Sequence, residues 1–277
     1  MSMDFHAESS AGAYASRGAD PGWVSAVAGI VDLRGLRVVD IGCGGGIYST
    51  AMAQMGALVT GVDFSARMVS DARERARGLG AGEVRFVQGD ATCTGLPDGS
   101  ADAVLLRALI HHVRSIPAVL AEARRLLIPG GILLIQDRTM EDVLAPPSAE
   151  HIRGWFFEIL PHLIDVEAGR RPDIEEVDRH LREAGFGAIS HHRLAELRRS
   201  YDDLASLRAD LLSRTGRSIL HELDDGQLAL LVDGICARIA RSAPTDQAIR
   251  EVDYWTLWWA RADHRVQDAV SAAHRPG

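Results

Sequence analysis

Short unbroken apolar runs alternate along this chain with stretches in which apolar residues return every three or four positions. Val38 to Ile41, Ala57 to Val62, Val84 to Gln88, Ala103 to Leu106 and Ile132 to Ile135 are such runs, and each predicts a buried strand. Helices are expected between them: Gly22 to Leu33, a second running to Gly56, then Ala66 to Arg77 and Ile116 to Leu127. Their ends carry matching chemistry. Asp20-Pro21 sets an N-cap before a proline at the first helical position, and Ser65 and Ser115 are further N-caps. Gly35, Gly56, Gly78 and Pro129-Gly130-Gly131 are stops.

The alternation breaks at Met140. Pro146-Pro147 marks a loop, and Trp155-Phe156-Phe157 reads as a short helical patch. It resumes with a helix over Asp173 to Ala184 and a strand over Phe186 to His191. A second break carries two amphipathic helices, Asp202 to Arg214 and Asp225 to Ala240, before a last strand over Glu251 to Trp259. The expected fold is α/β: a doubly wound, mostly parallel sheet of seven strands, with helical insertions after strands 5 and 6.

Composition narrows the class. A chain of 277 residues and 30.0 kDa suits one large domain, or a core with a helical cap. A net charge of −8 and a pI near 5.8 argue against a nucleic-acid partner. No lysine occurs, which excludes a Schiff-base lysine and a phosphate-binding P-loop. Cys43, Cys93 and Cys236 are scattered without metal-type spacing, so no metal site and a cytoplasmic location are expected. The first residues have no signal-peptide pattern, and no window has transmembrane length.

The chemistry centres on Asp40-Ile41-Gly42-Cys43-Gly44-Gly45-Gly46, where the first strand turns into a helix. Glycine is needed where φ is positive or where a ligand touches the backbone, and the free N–H groups of the helix start attract an anion. The spacing Gly42-x-Gly44-x-Gly46 does not meet the dinucleotide pattern G-x-G-x-x-G. In an open parallel sheet, ligands bind beyond the carboxyl ends of the strands. Asp63 ends the second strand, where its carboxylate can accept from two ribose hydroxyls or cap the next helix. Phe64 beside it can lie on an adenine or pack. Asp90 ends the third strand and can accept from an adenine amine, with Ala91 offering its N–H.

Asp40 to Gly46, Gly61-Val62-Asp63, Gly89-Asp90-Ala91, Leu109 to Val113 and Leu126 to Gly131 together resemble the successive motifs of the class I S-adenosylmethionine (SAM) dependent methyltransferases of the ubiquinone/menaquinone-biosynthesis type. The likeness covers about residues 35–137 and returns weakly at 173–192. Ile128 departs from the lysine these enzymes often carry there. The resemblance implies a Rossmann-like domain with SAM as cofactor. Its binding set would be Asp40, Gly42, Cys43, Gly44, Gly46, Asp63, Phe64, Met68, Asp90, Ala91 and Arg107. The backbone of Arg107 and Ala108 would face the cofactor's amino group. Tyr14 and Arg17 would close the site, with Arg17 pairing a carboxylate or remaining solvated. Residues 1–34 would then cover the cofactor, and 35–277 would form the core, with cap insertions at about 139–170 and 198–245.

Methyl transfer from a sulfonium asks for positioning and exclusion of water, and a protonated nucleophile also needs a base. His111, just past the fourth strand, is the candidate base; ordering of its loop is the competing role. The acceptor, a small molecule, is expected under a lid lined by His112, Arg138, Trp155, Phe156, Phe157 and Tyr201, although the aromatics equally suit ordinary packing. The stripes Leu204, Leu207, Leu211 and Leu228, Leu231, Ile235, Ile239 also permit a dimer interface, so monomer and homodimer both stand. Two other functions use the same fold: cyclisation or aminocarboxypropyl transfer, which yields methylthioadenosine, and SAM binding without catalysis.

Overall fold

The computed structural model describes residues 18–80, 82–242 and 248–263. Helix α1 (Pro21–Ile30) opens the described chain. The strands and helices β1 (Arg37–Ile41), α2 (Ile47–Gln54), β2 (Leu58–Asp63), α3 (Ala66–Leu79), β3 (Val84–Gln88), β4 (Ala101–Arg107), α4 (Ile116–Leu126) and β5 (Leu127–Asp137) follow. Three short helices come next: α5 (Met140–Val143), α6 (Gly154–Ile159) and α7 (Leu163–Ala168). Then α8 (Ile174–Glu183), β6 (Phe186–Tyr201), α9 (Leu204–Leu212), a 3₁₀ turn at Ser218–Glu222, α10 (Asp225–Ser242) and β7 (Ile249–Ala262) complete it. None of the described helices is long and apolar enough to cross a membrane.

The expected seven strands form one sheet in the order β3-β2-β1-β4-β5-β7-β6. Strands β1 to β5 pair in parallel, with Ile41 beside Val62 and Leu106, Asp63 beside Gln88, and Arg107 beside Gln136. Their carboxyl ends therefore lie along one edge. The β6–β7 pair runs the other way. Ring contacts join His191 to Trp258 and His192 to Trp259, Arg193 stacks on Tyr254, and Arg198 meets Glu251. From His192 through Arg193 to Arg198 the partners in β7 step backward, from Trp259 to Tyr254 to Glu251, which is antiparallel register.

Contacts divide the chain into two compact units. Of the described residues, the larger holds 30–80, 82–137, 174–192 and 257–263; the second holds 18–29, 138–173, 193–242 and 248–256. The larger unit's core joins Val39, Ile41, Val62, Val104 and Leu106 to Val119, Leu120 and Ala123 of α4 and to Val177 and Leu181 of α8. The second unit has a core of its own. Phe156, Phe157, Tyr201, Leu207, Leu211, Leu231 and Ile235 are all buried in it.

Several boundaries correct the sequence reading. Helix α3 runs past Gly78 to Leu79, and Gly80 is its left-handed C-cap. Strand β6 continues ten residues beyond His191, to Tyr201. The apolar stripes of α9 and α10 are spent on the second unit's own core: Leu207, Leu211, Leu231, Ile235 and Ile239 are buried there. Asp20 caps α1 as expected, accepting from the N–H groups of Gly22 and Trp23.

Candidate functional site

Because β1 to β5 are parallel and in register, the sheet order fixes the order of groups along their carboxyl edge. Asp90 follows β3, Asp63 ends β2, the glycine turn follows β1, Arg107 ends β4 and Asp137 ends β5. Five strands at about 4.8 Å spacing make a rim roughly 20 Å long. All of these groups belong to the larger unit.

The turn itself is pinned from two sides. Gly42 and Cys43 donate to Val62 O at 2.8 and 3.0 Å, and Gly44 N donates to Asp63 Oδ2 at 2.9 Å. Gly42, Gly44 and Gly46 have φ of 75°, 51° and 75°, a conformation that side chains with a Cβ adopt only under strain. A Cβ on Gly42 would lie 2.8 Å from Leu109, and one on Gly46 would lie 2.9 Å from Phe86 and Ala72. On Gly44 and Gly45 a Cβ would meet nothing within 4 Å. The turn is thus packed at its ends and open at its middle, as a cradle for a ligand requires.

The acids are held differently. Asp40 is buried and accepts from Ser49 Oγ at 2.5 Å. Burial pushes its carboxyl up to about 6, against the pull of that hydroxyl. Asp63 is also raised by burial, opposed by the backbone N–H groups of Ser65 and Gly44. Asp90 is exposed, and donors from Thr92 hold its pKa below the ordinary value. Phe64 is half exposed and offers a ring face at the end of β2. Met68 lies in the first turn of α3, where its N–H donates to the Ser65 cap. Burial raises the Cys43 thiol well above its ordinary pKa, so Cys43 serves the turn as a neutral group. Tyr14 and Arg17 lie outside the described residues.

Arg107 is set by two neighbours. Its Nε donates to Gln136 Oε1 at 2.7 Å, and its guanidinium lies 3.7 Å from the centroid of the Tyr48 ring. Gln136 O also accepts from Ala108 N at 2.8 Å, steadying a residue whose φ is 50°. Beyond it, His111 Nδ1 lies 2.7 and 2.8 Å from the two oxygens of Asp137. Both side chains are nearly fully buried. His112 is exposed, and its ring centroid is 3.8 Å from that of His111. The sequence reading missed Asp137, although an acid ending a central strand is the same signal that singled out Asp63.

The remaining candidates lie in the second unit. Phe156 and Phe157 are buried in its core, and α6 also carries Trp155, whose Nε1 donates to Ser148 O. Arg138 pairs with Asp253 at 2.5 Å and stacks on Trp255. Burial lowers the Arg138 pKa to about 9. The Tyr201 hydroxyl is bonded to Asp210 and Glu251, inside a buried group that includes Arg198 and Arg217.

Comparison with known proteins accords with this rim. Residues 39–135 match a family model described as a methyltransferase domain. The chain is 34% identical over 179 residues to a ubiquinone/menaquinone biosynthesis C-methyltransferase of Methylobacterium nodulans, covering 58% of this chain and 70% of that protein. It is 33% identical over 138 residues to a ubiquinone biosynthesis O-methyltransferase of Paracidovorax citrulli, covering 48% and 56%. A Haemonchus contortus phosphoethanolamine N-methyltransferase, solved with phosphomonomethylethanolamine and S-adenosylhomocysteine (SAH), superposes with a TM-score of 0.55. That match is 21% identical, covers 89% of this chain and 54% of the other, and shows the fold.

The glycine turn, the acids at the strand ends and these matches define a SAM-dependent methyltransferase. The chain belongs to the class I methyltransferases of the ubiquinone/menaquinone-biosynthesis type, and its cofactor is SAM. The residues present fit that group. An open backbone cradle faces the rim, and carboxylates suit a ligand that carries a sulfonium, an ammonium and two ribose hydroxyls.

Proposed function

We propose that this chain methylates an oxygen, nitrogen or carbon nucleophile of a small molecule, with His111 taking the proton that the nucleophile gives up. When bound, SAM supplies an electrophilic methyl group on a sulfonium. Asp63 and the open backbone at Gly44 and Gly45 hold the cofactor, Asp90 and Ala91 orient its adenine, and Arg107 and Ala108 steady its amino-acid end. In-line displacement demands close positioning more than covalent help from the protein. His111 then supplies the acid–base function that a protonated nucleophile needs. The observation that carries this reading is the rim itself: His111 follows β4 by four residues, on the edge that carries the glycine turn and Asp63.

The matched relatives are methyltransferases, which supports methyl transfer over cyclisation or arm transfer. The test is mass analysis of the cofactor product after incubation with SAM and a panel of small hydroxyl, amine and activated-carbon acceptors. SAH together with a methylated acceptor is the expected result. Methylthioadenosine, or cofactor binding without any turnover across the panel, would contradict it.

A further inference from the structure

We infer that the second unit holds a binding site for a small hydroxy acid, built on Arg153 and His151 in the segment that leads into α6. The ligand is distinct from SAM, so the site stands apart from the cofactor reading.

Two buried carboxylates, Asp253 and Glu167, are shared among four guanidiniums. The short bonds go to three of them. Arg138 Nη2 donates to Asp253 Oδ2 at 2.5 Å, Arg171 Nε to Glu167 Oε2 at 2.6 Å and Arg170 Nη2 to Glu167 Oε1 at 2.9 Å. Arg153 is left with long contacts, 3.4 Å from Nε to Asp253 Oδ1 and 3.6 Å from Nη1 to Glu167 Oε1. Its side chain is only 6% exposed, and a cation so placed is costly without a close anion. Arg198 and Arg217, whose charges also reach Asp253, are themselves matched by Asp210 and Glu251. An oxyanion completes this arrangement, and the guanidinium fork matches the two oxygens of a carboxylate.

His151 adds a second requirement. Its ring is buried, and Nδ1 lies 3.2 Å from Pro146 O, so Nδ1 donates and Nε2 keeps the lone pair. That Nε2 has no hydrogen-bond partner among the described residues. Burial lowers the pKa of the ring, with Arg153 adding to it and Asp253 opposing, so the imidazole is neutral and Arg153 is near. A lone pair calls for a donor. The surrounding guanidiniums repel an ammonium, which leaves a neutral donor, and a hydroxyl is the smallest. Both side chains are almost fully buried, so the ligand must be small and its contacts little screened.

Titration calorimetry and histidine ¹⁵N NMR on the full chain test this. The probes are lactate, salicylate, para-hydroxybenzoate, benzoate, phenol and inorganic phosphate. At least one hydroxy acid should bind saturably and shift the His151 Nε2 signal, which is assigned by its loss in His151→Gln. Benzoate should bind more weakly than the better hydroxybenzoate, and phenol should not bind. Arg153→Met keeps the stem without the fork and should weaken the best hydroxy acid about 10–100-fold. In His151→Phe the advantage of hydroxybenzoate over benzoate should vanish while benzoate affinity holds.

Should Arg153→Met not fold, the His151 signal of the unaltered protein carries the test. No saturable binding of any hydroxy acid, an unmoved His151 signal, or equal affinity in folded Arg153→Met overturns the site. Phosphate or benzoate bound as tightly as every hydroxy acid overturns the ligand class. Incubation with SAM separates two sources of the same chemistry: a bound hydroxy acid that gains a methyl group is the acceptor, and one recovered unchanged is an effector. SAH binding without any hydroxy acid binding would sink this inference and leave the cofactor reading in place.

Discussion

Gly44 and Asp63 are joined directly: the glycine N–H donates to Oδ2 at 2.9 Å, and Ser65 N donates to Oδ1 at the same distance. One carboxylate thus ties the turn after β1 to the start of α3. Each oxygen keeps lone pairs for ribose hydroxyls, since an ionised carboxylate offers about four acceptor sites. Asp63→Ala should release both N–H groups. Amide exchange at Gly44 and Ser65 is expected to accelerate at least roughly tenfold, in keeping with a charged hydrogen bond worth about 1.5–3 kcal/mol. Unchanged protection at both amides would contradict the tie.

Asp40 gives a pH dependence with a definite sign. Its carboxyl sits at about 6 against an ordinary 3.8, because burial disfavours the charge. Between those values the folded protein holds a proton that the unfolded chain has released, so stability falls as pH rises through that window. Asp40→Asn keeps an acceptor for Ser49 and removes the charge. The variant should be more stable than the parent at pH 7.5, by up to about 3 kcal/mol, with the difference shrinking towards pH 4. Thermal melts at the two pH values check it, and equal destabilisation at both would contradict it.

Neighbouring glycines separate conformation from space. Gly45 has no positive φ and an open surrounding, whereas Gly46 sits at φ 75° with Phe86 and Ala72 2.9 Å from a new Cβ. Gly45→Ala should leave stability within about 0.5 kcal/mol of the parent. Gly46→Ala should cost roughly 2–4 kcal/mol through strain and overpacking. Denaturant midpoints distinguish the two, and equal effects would refute the assignment of roles.

In the second unit, Arg217 donates to Asp210 at 2.7 Å and to Glu251 at 2.6 Å, all three buried. Arginines hold the Asp210 carboxyl down to about 2, against its burial, and Glu251 is lowered by Arg217 and Arg198. Their contribution is present above the ordinary carboxylate range and is lost as pH falls through the lowered values. Glu251→Ala should cost about 3–5 kcal/mol, because it strands buried guanidinium charge. Replacing Arg217, Asp210 and Glu251 together by apolar residues of similar size should cost less than the single change. A triple variant less stable than Glu251→Ala would contradict this.

Phe156 tests packing against a place in the cofactor site. Its ring is fully buried among apolar side chains, so Phe156→Ala should cost about 3–5 kcal/mol. SAH affinity of the folded fraction should stay within about twofold. A large loss of SAH affinity with unchanged stability would assign the ring to the cofactor site instead.

The sheet and the row of acids along its edge were legible for one physical reason. In a parallel sheet the strand ends coincide, so acids that close separate apolar runs, such as Asp63 and Asp90, must share an edge. Strand β6 was harder to read. Past His191 it carries Arg193, Glu196, Arg198 and Arg199, which look like loop until Arg198 is seen paired with Glu251 in β7. Glu251 is 53 residues from Arg198, beyond any local pattern. Asp137 was within reach, since it lies two residues past the Ile132–Ile135 run, but its value depends on His111 coming from a different strand end. Strands β6 and β7 each pass through both units.

Isothermal titration of the protein with SAH tests the central claim most directly, comparing the parent with Asp63→Ala. The account predicts saturable heat with one site per chain, and affinity reduced about 10–100-fold by the substitution in protein that remains folded. No heat with the parent, or identical isotherms for the two proteins, would contradict it.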